Sequence, residues 1–170
     1  MVKQHKVVID ANIAFSSGKT EHPVSKACRE ALDNIAKNNH HFVLCKTLLA
    51  EWKRHQSNYA AKWLASMFAR RQVELITHGD QSKEKIISSK VEERYKNAAL
   101  KDSHLVDAAC VRGRFITSSD DRAREAFAAI PELKSIGKVI TWINPVTESD
   151  MLEKVLNEKI EPSKFNKICL

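Results

Sequence analysis

Residues 6–10, Lys-Val-Val-Ile-Asp (KVVID), form the stretch that decides the fold. Valine and isoleucine follow one another there without polar alternation, which is typical of a strand buried on both faces. Four later apolar runs also have strand character, at residues 41–45 (HFVLC), 73–77 (VELIT), 115–118 (FITS) and 138–142 (KVITW). We therefore predict about five strands.

Helical patterns lie between these strands. Apolar residues from 27 to 36 recur at the 3.6-residue spacing of a helix face. Further helices are predicted at residues 47–71 (with a break near 56–58), 80–99, 102–112, 122–129 and 148–157. Strands that alternate with helices indicate βαβ units, so we predict an α/β fold with a central parallel sheet covered by helices on both faces.

Composition and charge narrow the class of protein. At 170 residues, 43% of them hydrophobic and 29% charged, the chain resembles one ordinary globular domain. No apolar run reaches the roughly 20 residues that span a bilayer, and the first residues lack a signal-peptide pattern, so we expect a cytoplasmic protein without a membrane partner.

The four scattered cysteines lack the paired spacing of a zinc site. A net charge of +7 favours a polyanionic partner such as nucleic acid.

Four carboxylates are expected at one edge of this sheet. Right-handed crossovers bring the carboxyl ends of parallel strands to the same edge, where α/β proteins bind ligands. Asp10 ends the first strand, and Glu51 is expected in the first turn of the helix that follows the second strand. Asp102 opens the helix before the fourth strand, and Asp120 comes directly after that strand.

Such a group of acids predicts a metal site. Carboxylates that converge without partners raise one another's pKa, and bound Mg²⁺ or Mn²⁺ would relieve the repulsion because these ions prefer oxygen ligands. The same ions can activate water against a phosphodiester. Asn12 and Ser118 are expected to orient the carboxylates or a water by hydrogen bonds. Six basic residues near the edge are predicted to hold the substrate backbone: Lys46, Lys53, Arg54, Lys101, Arg122 and Arg124.

Four sequence blocks resemble the pattern of PIN-domain ribonucleases, in order and at the spacing of that family. They are VVIDANI (7–13), LLAE (48–51), KDSHLVDAA (101–109) and ITSSDDRAR (116–124). The resemblance implies a three-layer α/β/α, PIN-like nuclease domain at residues 1–145, with a C-terminal helix and tail at 146–170 packed on it.

The resemblance also implies an activity and partners. By motif position, Asp10, Glu51, Asp102 and Asp120 would bind the metal ions of an endoribonuclease that hydrolyses RNA. Members of this family often form homodimers, and many are toxins of toxin–antitoxin pairs, so an antitoxin protein is an expected partner. The alternative function is a catalytically silent PIN-like module that binds RNA or a protein. The same site chemistry would also suit a phosphatase or a DNA nuclease.

Alternatives stay open at individual positions. Asp121 is a second candidate for the metal role of Asp120, although it is better placed as the cap of the following helix. Asp102 is a natural N-cap whether or not it binds metal. Asp107 is predicted to reach the rim of the site and not its centre. His104, two residues after Asp102, is expected to face elsewhere on its helix.

Three tryptophans, Trp52, Trp63 and Trp142, have the ring system to stack on nucleic-acid bases. Trp63 lies four residues from both Tyr59 and Met67, a spacing that more often indicates helix packing or a dimer face.

Overall fold

Strands and helices alternate around one central sheet in the computed structural model, which describes residues 3–169. The strands are β1 (Lys6–Ile9), β2 (His41–Leu44), β3 (Val73–Leu75), β4 (Phe115–Thr117) and β5 (Thr141–Ile143). The helices are α1 (Ala11–Ser16), α2 (Pro23–Lys37), α3 (Lys46–His55), α4 (Asn58–Ala69), α5 (Gln81–Ser88), α6 (Glu93–Lys101), α7 (Ser103–Val111), α8 (Asp121–Ala129), α9 (Lys134–Gly137) and α10 (Ser149–Leu156). Two short 3₁₀ helices, Pro131–Leu133 and Pro162–Lys164, complete the described chain. Across these residues, no helix is both long enough and apolar enough to cross a membrane.

The sheet is entirely parallel and has the strand order β3-β2-β1-β4-β5. β1 lies at its centre, where Ile9 is paired with Thr117 of β4 and Val7 with Phe42 of β2. Every residue from Val7 to Ile9 is fully buried, because helices cover both faces of a parallel sheet. The predicted α/β fold with five parallel strands in a three-layer arrangement is confirmed.

The helices fall into two groups. α7 packs against β1, β2 and β4, and α5 and α6 pack against α7. α2 contacts α1, α4 and α10, which form the second group. This division arises because right-handed crossovers place helices on opposite faces of the sheet when the chain moves across it in opposite directions. The chain first moves outward from β1 to β3, and it then returns past β1 to β4 and β5.

Two predicted elements differ from the structure, and one helix was not predicted. The single helix expected at residues 80–99 is two helices, because the chain leaves the helix at Ser89, whose buried hydroxyl donates to the Ile86 carbonyl. The last strand begins at Thr141 and not at Lys138, which instead ends the short helix α9. Helix α1, which starts directly after Asp10, was not expected from the sequence.

The tryptophans belong to the core and not to a base-stacking surface. Trp52 and Trp142 are fully buried, and Trp63 is 7% exposed. The Trp52 indole N–H donates to the Ile9 carbonyl over 2.9 Å, while that of Trp63 donates to the Leu32 carbonyl over 2.7 Å. The first of these bonds ties α3 to the carboxyl end of β1.

A glycine allows the close approach of β4 to the central strand. Gly113 has φ +83° in the turn between α7 and β4, and a Cβ there would lie 2.0 Å from the Lys6 carbonyl oxygen. A side chain at this position would therefore be strained and would also push the turn away from β1.

The chain after α10 lies along the outer edge of β5. The amide of Trp142 donates to the Asn166 carbonyl over 3.0 Å, and the amide of Ile168 donates to the Ile140 carbonyl over 3.1 Å. Thr141 and Lys167 form an antiparallel bridge between these hydrogen bonds. The tail thus satisfies backbone groups that an edge strand would otherwise expose.

Two stacked histidines join the amino ends of β1 and β2 to the end of α10. The rings of His5 and His40 lie 5.0 Å apart and nearly parallel. The His5 amide donates to His40 Nδ1, so His40 Nε2 carries the proton and donates to the Leu156 carbonyl over 2.7 Å. Burial lowers the pKa of His40 to about 4 and also lowers the pKa of His5.

We predict that the folded protein loses stability in mild acid because of His40. The pKa of His40 is lower in the folded chain than in the unfolded chain, so its contribution is present above about pH 6.5 and is lost as pH falls towards 4. Between pH 7.5 and 4.5 this histidine should remove roughly 2 kcal/mol from the free energy of unfolding. Urea unfolding at both pH values measures the effect.

The matched pair of variants is His40→Gln and His22→Gln, since His22 is an exposed histidine at the start of α2. His40→Gln should flatten the pH dependence of unfolding, whereas His22→Gln should leave it as in the unsubstituted protein. Equal pH dependence in both variants would contradict the assignment to His40.

Candidate functional site

A pocket of about 460 Å³ opens at the carboxyl ends of β1 and β4. The chain reverses its direction of travel across the sheet between these two strands, and such a point is where open α/β sheets bind ligands. The pocket is lined by Asp10, Ala11, Asn12, Phe15, Glu51, Arg54, His55, Lys101, Asp102 and Asp120. All four predicted carboxylates thus line one pocket, although they come from four separate parts of the chain.

Asp10 is held at the base of the pocket by hydrogen bonds. It is 6% exposed and caps α1, with Oδ1 accepting from the Asn12 amide at 3.4 Å. The Ser118 hydroxyl donates to Asp10 Oδ2 over 2.7 Å, and the side-chain amide of Asn12 lies 3.4 Å from the same hydroxyl. Burial raises the pKa of Asp10, the bonds from Ser118 and Asn12 oppose that shift, and Glu51 adds to it. Asn12 and Ser118 therefore orient Asp10, in the positions predicted for them.

Asp102 is a buried acid, and one of its oxygens has no hydrogen-bond partner in the part of the chain that the structure describes. It lies between α6 and α7 and is 5% exposed; it occupies the predicted N-cap position of α7, but its side chain makes no capping hydrogen bond. Within residues 3–169, its Oδ2 atom has no hydrogen-bond partner. Burial and the charge of Asp10 raise the pKa of Asp102 to about 7. A buried oxygen of this kind fits a hard divalent cation, which would supply the missing partner.

Glu51 is paired with a histidine that the sequence did not indicate. α3 begins at Lys46, so Glu51 lies in its second turn and not in the first. His104 Nε2 donates to Glu51 Oε2 over 2.8 Å, and the expectation that His104 faces elsewhere is wrong. Burial alone would lower the pKa of His104, but the bond to Glu51 and the charges of Asp102 and Asp10 together raise it. No sequence spacing links residues 51 and 104, because the pair forms only where α3 meets α7.

The two acids after β4 have different surroundings. Asp120 lines the pocket and caps α8, its Oδ1 accepting from the Ala123 amide at 3.0 Å. Asp121 lies outside the pocket lining and binds Arg124 and Asn144, each over 3.2 Å. The prediction that Asp121 is the helix cap is therefore wrong, although Asp120 is still the acid that faces the pocket.

Only part of the predicted basic surface reaches the pocket. Arg54 and Lys101 line it, and Lys101 Nζ lies 3.8 Å from Asp120 Oδ2. Arg124 is instead half-buried, with Nη1 donating to Glu148 and to the Trp142 carbonyl, so it is not free to hold a substrate. The other predicted basic residues, Lys46, Lys53 and Arg122, are exposed but lie outside the lining. His55 and Phe15 line the pocket without having been predicted.

A second group of side chains could hold a metal ion. His78, Asp80 and Asp107 each offer a ligand atom, and these atoms lie within 4.8 Å of one another. Among residues 3–169, no three of the four pocket carboxylates meet that spacing. Asp107, however, is already engaged, because its Oδ1 accepts from the Ser82 amide at 3.0 Å and so caps α5. Asp107 lies outside the pocket lining, so it does not reach the rim as predicted.

No protein-family model matches the chain, and comparison with curated proteins finds no significant match. The resemblance to PIN-domain ribonucleases therefore depends on the four sequence blocks.

We predict that Asp102→Asn stabilises the metal-free protein. The pKa of Asp102 is raised on folding from 3.8 to about 7, so this group opposes folding increasingly as pH rises between these two values, and the full effect is present above about pH 7. An amide of the same shape removes the buried charge, and in EDTA at pH 8 the free energy of unfolding should rise by roughly 1 to 3 kcal/mol. Chemical denaturation at pH 8 and pH 5 measures the gain, which should be smaller at pH 5.

Asp120→Asn is the matched control because Asp120 has both a capping amide and a nearby ammonium group. It should give no gain in stability under the same conditions. If Asp102→Asn were no more stable than the unsubstituted protein at pH 8, the description of Asp102 as an unpartnered buried charge would fail.

Proposed function

We propose that the chain is a metal-dependent endoribonuclease that hydrolyses RNA phosphodiester bonds. The observation that carries this proposal is the buried Asp102 oxygen, which has no hydrogen-bond partner among the described residues, in a pocket lined by three further carboxylates. Retaining such a group costs stability, and perturbed acids of this kind concentrate at functional sites. The resemblance to PIN-domain ribonucleases is the reason to choose RNA.

Asp10, Glu51, Asp102 and Asp120 would hold one or two divalent ions, Mg²⁺ or Mn²⁺, because all four offer hard oxygen ligands. A bound ion of this type supplies a hydroxide-like water and neutralises charge on the phosphoryl oxygens. Among the described residues, no three of these four carboxylates lie within 4.8 Å of one another. Carboxylates repel one another while no cation is bound, and a bound cation would draw them together.

The other residues of the site would orient the metal ligands and bind the substrate. Ser118 and Asn12 keep Asp10 in one orientation, and His104 does the same for Glu51. Arg54 and Lys101 stand at the wall of the pocket, where they would bind the phosphates on either side of the cleaved bond. A module that binds RNA without cutting would gain nothing from four carboxylates directed at a polyanion. A homodimer and an antitoxin partner stay predictions, since they derive from the resemblance alone.

We expect the purified protein to cut single-stranded RNA in the presence of Mn²⁺ or Mg²⁺ and to be inactive in excess EDTA. Asp10→Asn should reduce cleavage to background, because it removes a charged ligand from the base of the pocket while keeping the shape of the side chain and one of the two oxygens that accept from Ser118 and Asn12. Gel analysis of a labelled oligonucleotide measures the products.

Asp80→Asn is the control that separates the two groups of metal-binding side chains. Asp80 is exposed and makes no capping bond, so its substitution should leave both folding and cleavage intact. Loss of activity in Asp80→Asn, together with full activity in Asp10→Asn, would show that the catalytic metal is bound by His78, Asp80 and Asp107 instead. Undiminished cleavage in EDTA would overturn the metal mechanism.

His104→Ala should lower activity by about 10- to 100-fold at fixed metal concentration, because Glu51 loses the donor that orients it. The metal concentration needed for half-maximal activity should rise, and His104→Gln should recover part of the loss by restoring a donor. If His104→Ala and His104→Gln were equally impaired and needed no more metal, His104 would have a merely structural role.

A further inference from the structure

Phe15 is an exposed aromatic residue in a pocket whose other lining residues, apart from Ala11, are polar or charged. It lies on α1, five residues after Asp10, and lines the same pocket as the four carboxylates. Its two predecessors on α1, Ile13 and Ala14, are fully buried, while Phe15 itself is 68% exposed. An exposed apolar residue is ordinary on a protein surface. Its place beside a cluster of acids is what requires an explanation.

Two positive groups share the pocket with this ring. They are Arg54, near the end of α3, and Lys101, at the end of α6, and the His55 side chain also belongs to the lining. The pocket thus contains acids that suit a metal ion, cations that suit phosphate and the apolar ring of Phe15, which suits neither. Single-stranded nucleic acids are bound by this combination of cationic groups with aromatic rings on which bases stack.

We propose that Phe15 is a stacking platform for one unpaired base of a single-stranded RNA next to the phosphate that is cut. This inference deepens the proposed nuclease function and rests on it for the location of the cut phosphate. A base can lie on Phe15 only if its face is free, and in a duplex both faces are covered by neighbouring base pairs. Phe15 therefore selects single strands over duplexes. The pocket volume of about 460 Å³ is within the range of sites that enclose a small ligand.

The direct test measures binding apart from cleavage. Fluorescence anisotropy of a labelled single-stranded oligoribonucleotide is recorded with Mg²⁺ in the Asp10→Asn background, where cleavage is blocked. Adding Phe15→Ala should raise Kd about tenfold, and Phe15→Trp should restore binding because it keeps an aromatic face. Binding of a duplex of the same sequence should be weak and unaffected by Phe15→Ala.

Phe68→Ala is the matched control. Phe68 is the other phenylalanine with a largely exposed ring, at 41%, and it lies on α4 outside the pocket lining. Its removal should change Kd by less than twofold. If Phe15→Ala and Phe68→Ala gave the same Kd, or if Phe15→Ala weakened duplex binding as much as single-strand binding, the stacking role of Phe15 would be overturned.

A scan with abasic nucleotides tests the position of the base. In a substrate that is cut at one bond, a missing base at the stacked position should weaken binding as much as Phe15→Ala does. The two changes together should cost no more than one alone. Additive losses at every position along the strand would overturn the proposal.

The outcome separates this inference from the nuclease proposal. Single-strand binding that depends on Phe15, in a protein that never cuts RNA with Mg²⁺ or Mn²⁺, would keep the stacking platform and overturn the nuclease. Metal-dependent cleavage by a Phe15→Ala protein with unchanged Kd and unchanged preference for single strands would keep the nuclease and overturn the platform.

Discussion

The parallel pairing of β1 with β4 is the constraint on which the rest of the site depends. Ile9 lies opposite Thr117, so the residues that follow these strands, Asp10 and Ser118, leave the sheet side by side. The Asp10 amide donates to the Thr117 carbonyl over 3.1 Å, and the Ser118 hydroxyl donates to the Asp10 carboxylate. The Trp52 indole binds the Ile9 carbonyl at the same point and so fixes α3, which carries Glu51. The register between β1 and β4 therefore positions Asp10 and Ser118 and, through the Trp52 hydrogen bond, the helix that carries Glu51.

Two buried aspartates, Asp102 and Asp107, differ in whether the protein itself provides hydrogen-bond partners for their carboxylate oxygens. Asp102 and Asp107 lie on neighbouring turns of the chain and are both 5% exposed. Asp107 accepts a hydrogen bond from the Ser82 amide and caps α5, whereas Asp102 has an oxygen without a partner within residues 3–169. Burial alone thus does not mark the pocket. The difference is that one charge is satisfied by the protein and the other is not.

Some of the site could be predicted from local patterns. Continuous apolar runs indicated parallel strands, and their topology brings strand carboxyl ends and the start of the helix before β4 to one edge, which places Asp10, Asp120 and Asp102 correctly at one pocket. The predictions about caps were less successful. Asp120 and not Asp121 caps α8, and Asp102 occupies the N-cap position of α7 without a side-chain capping bond. Asp120 and Asp121 are adjacent residues of the same capping type, and the residue at which α8 begins decides which of them accepts from its first amides.

The sequence by itself determined the class of fold and the acidic character of one sheet edge, since both follow from periodicity and from the order of strands and helices. Tertiary structure alone decided that His104 binds Glu51, that Arg124 is held by Glu148, and that Phe15 stays exposed beside the carboxylates. These contacts join residues distant in the chain or depend on how a helix is rotated about its axis. The packing of whole elements sets that rotation, and no local spacing encodes it.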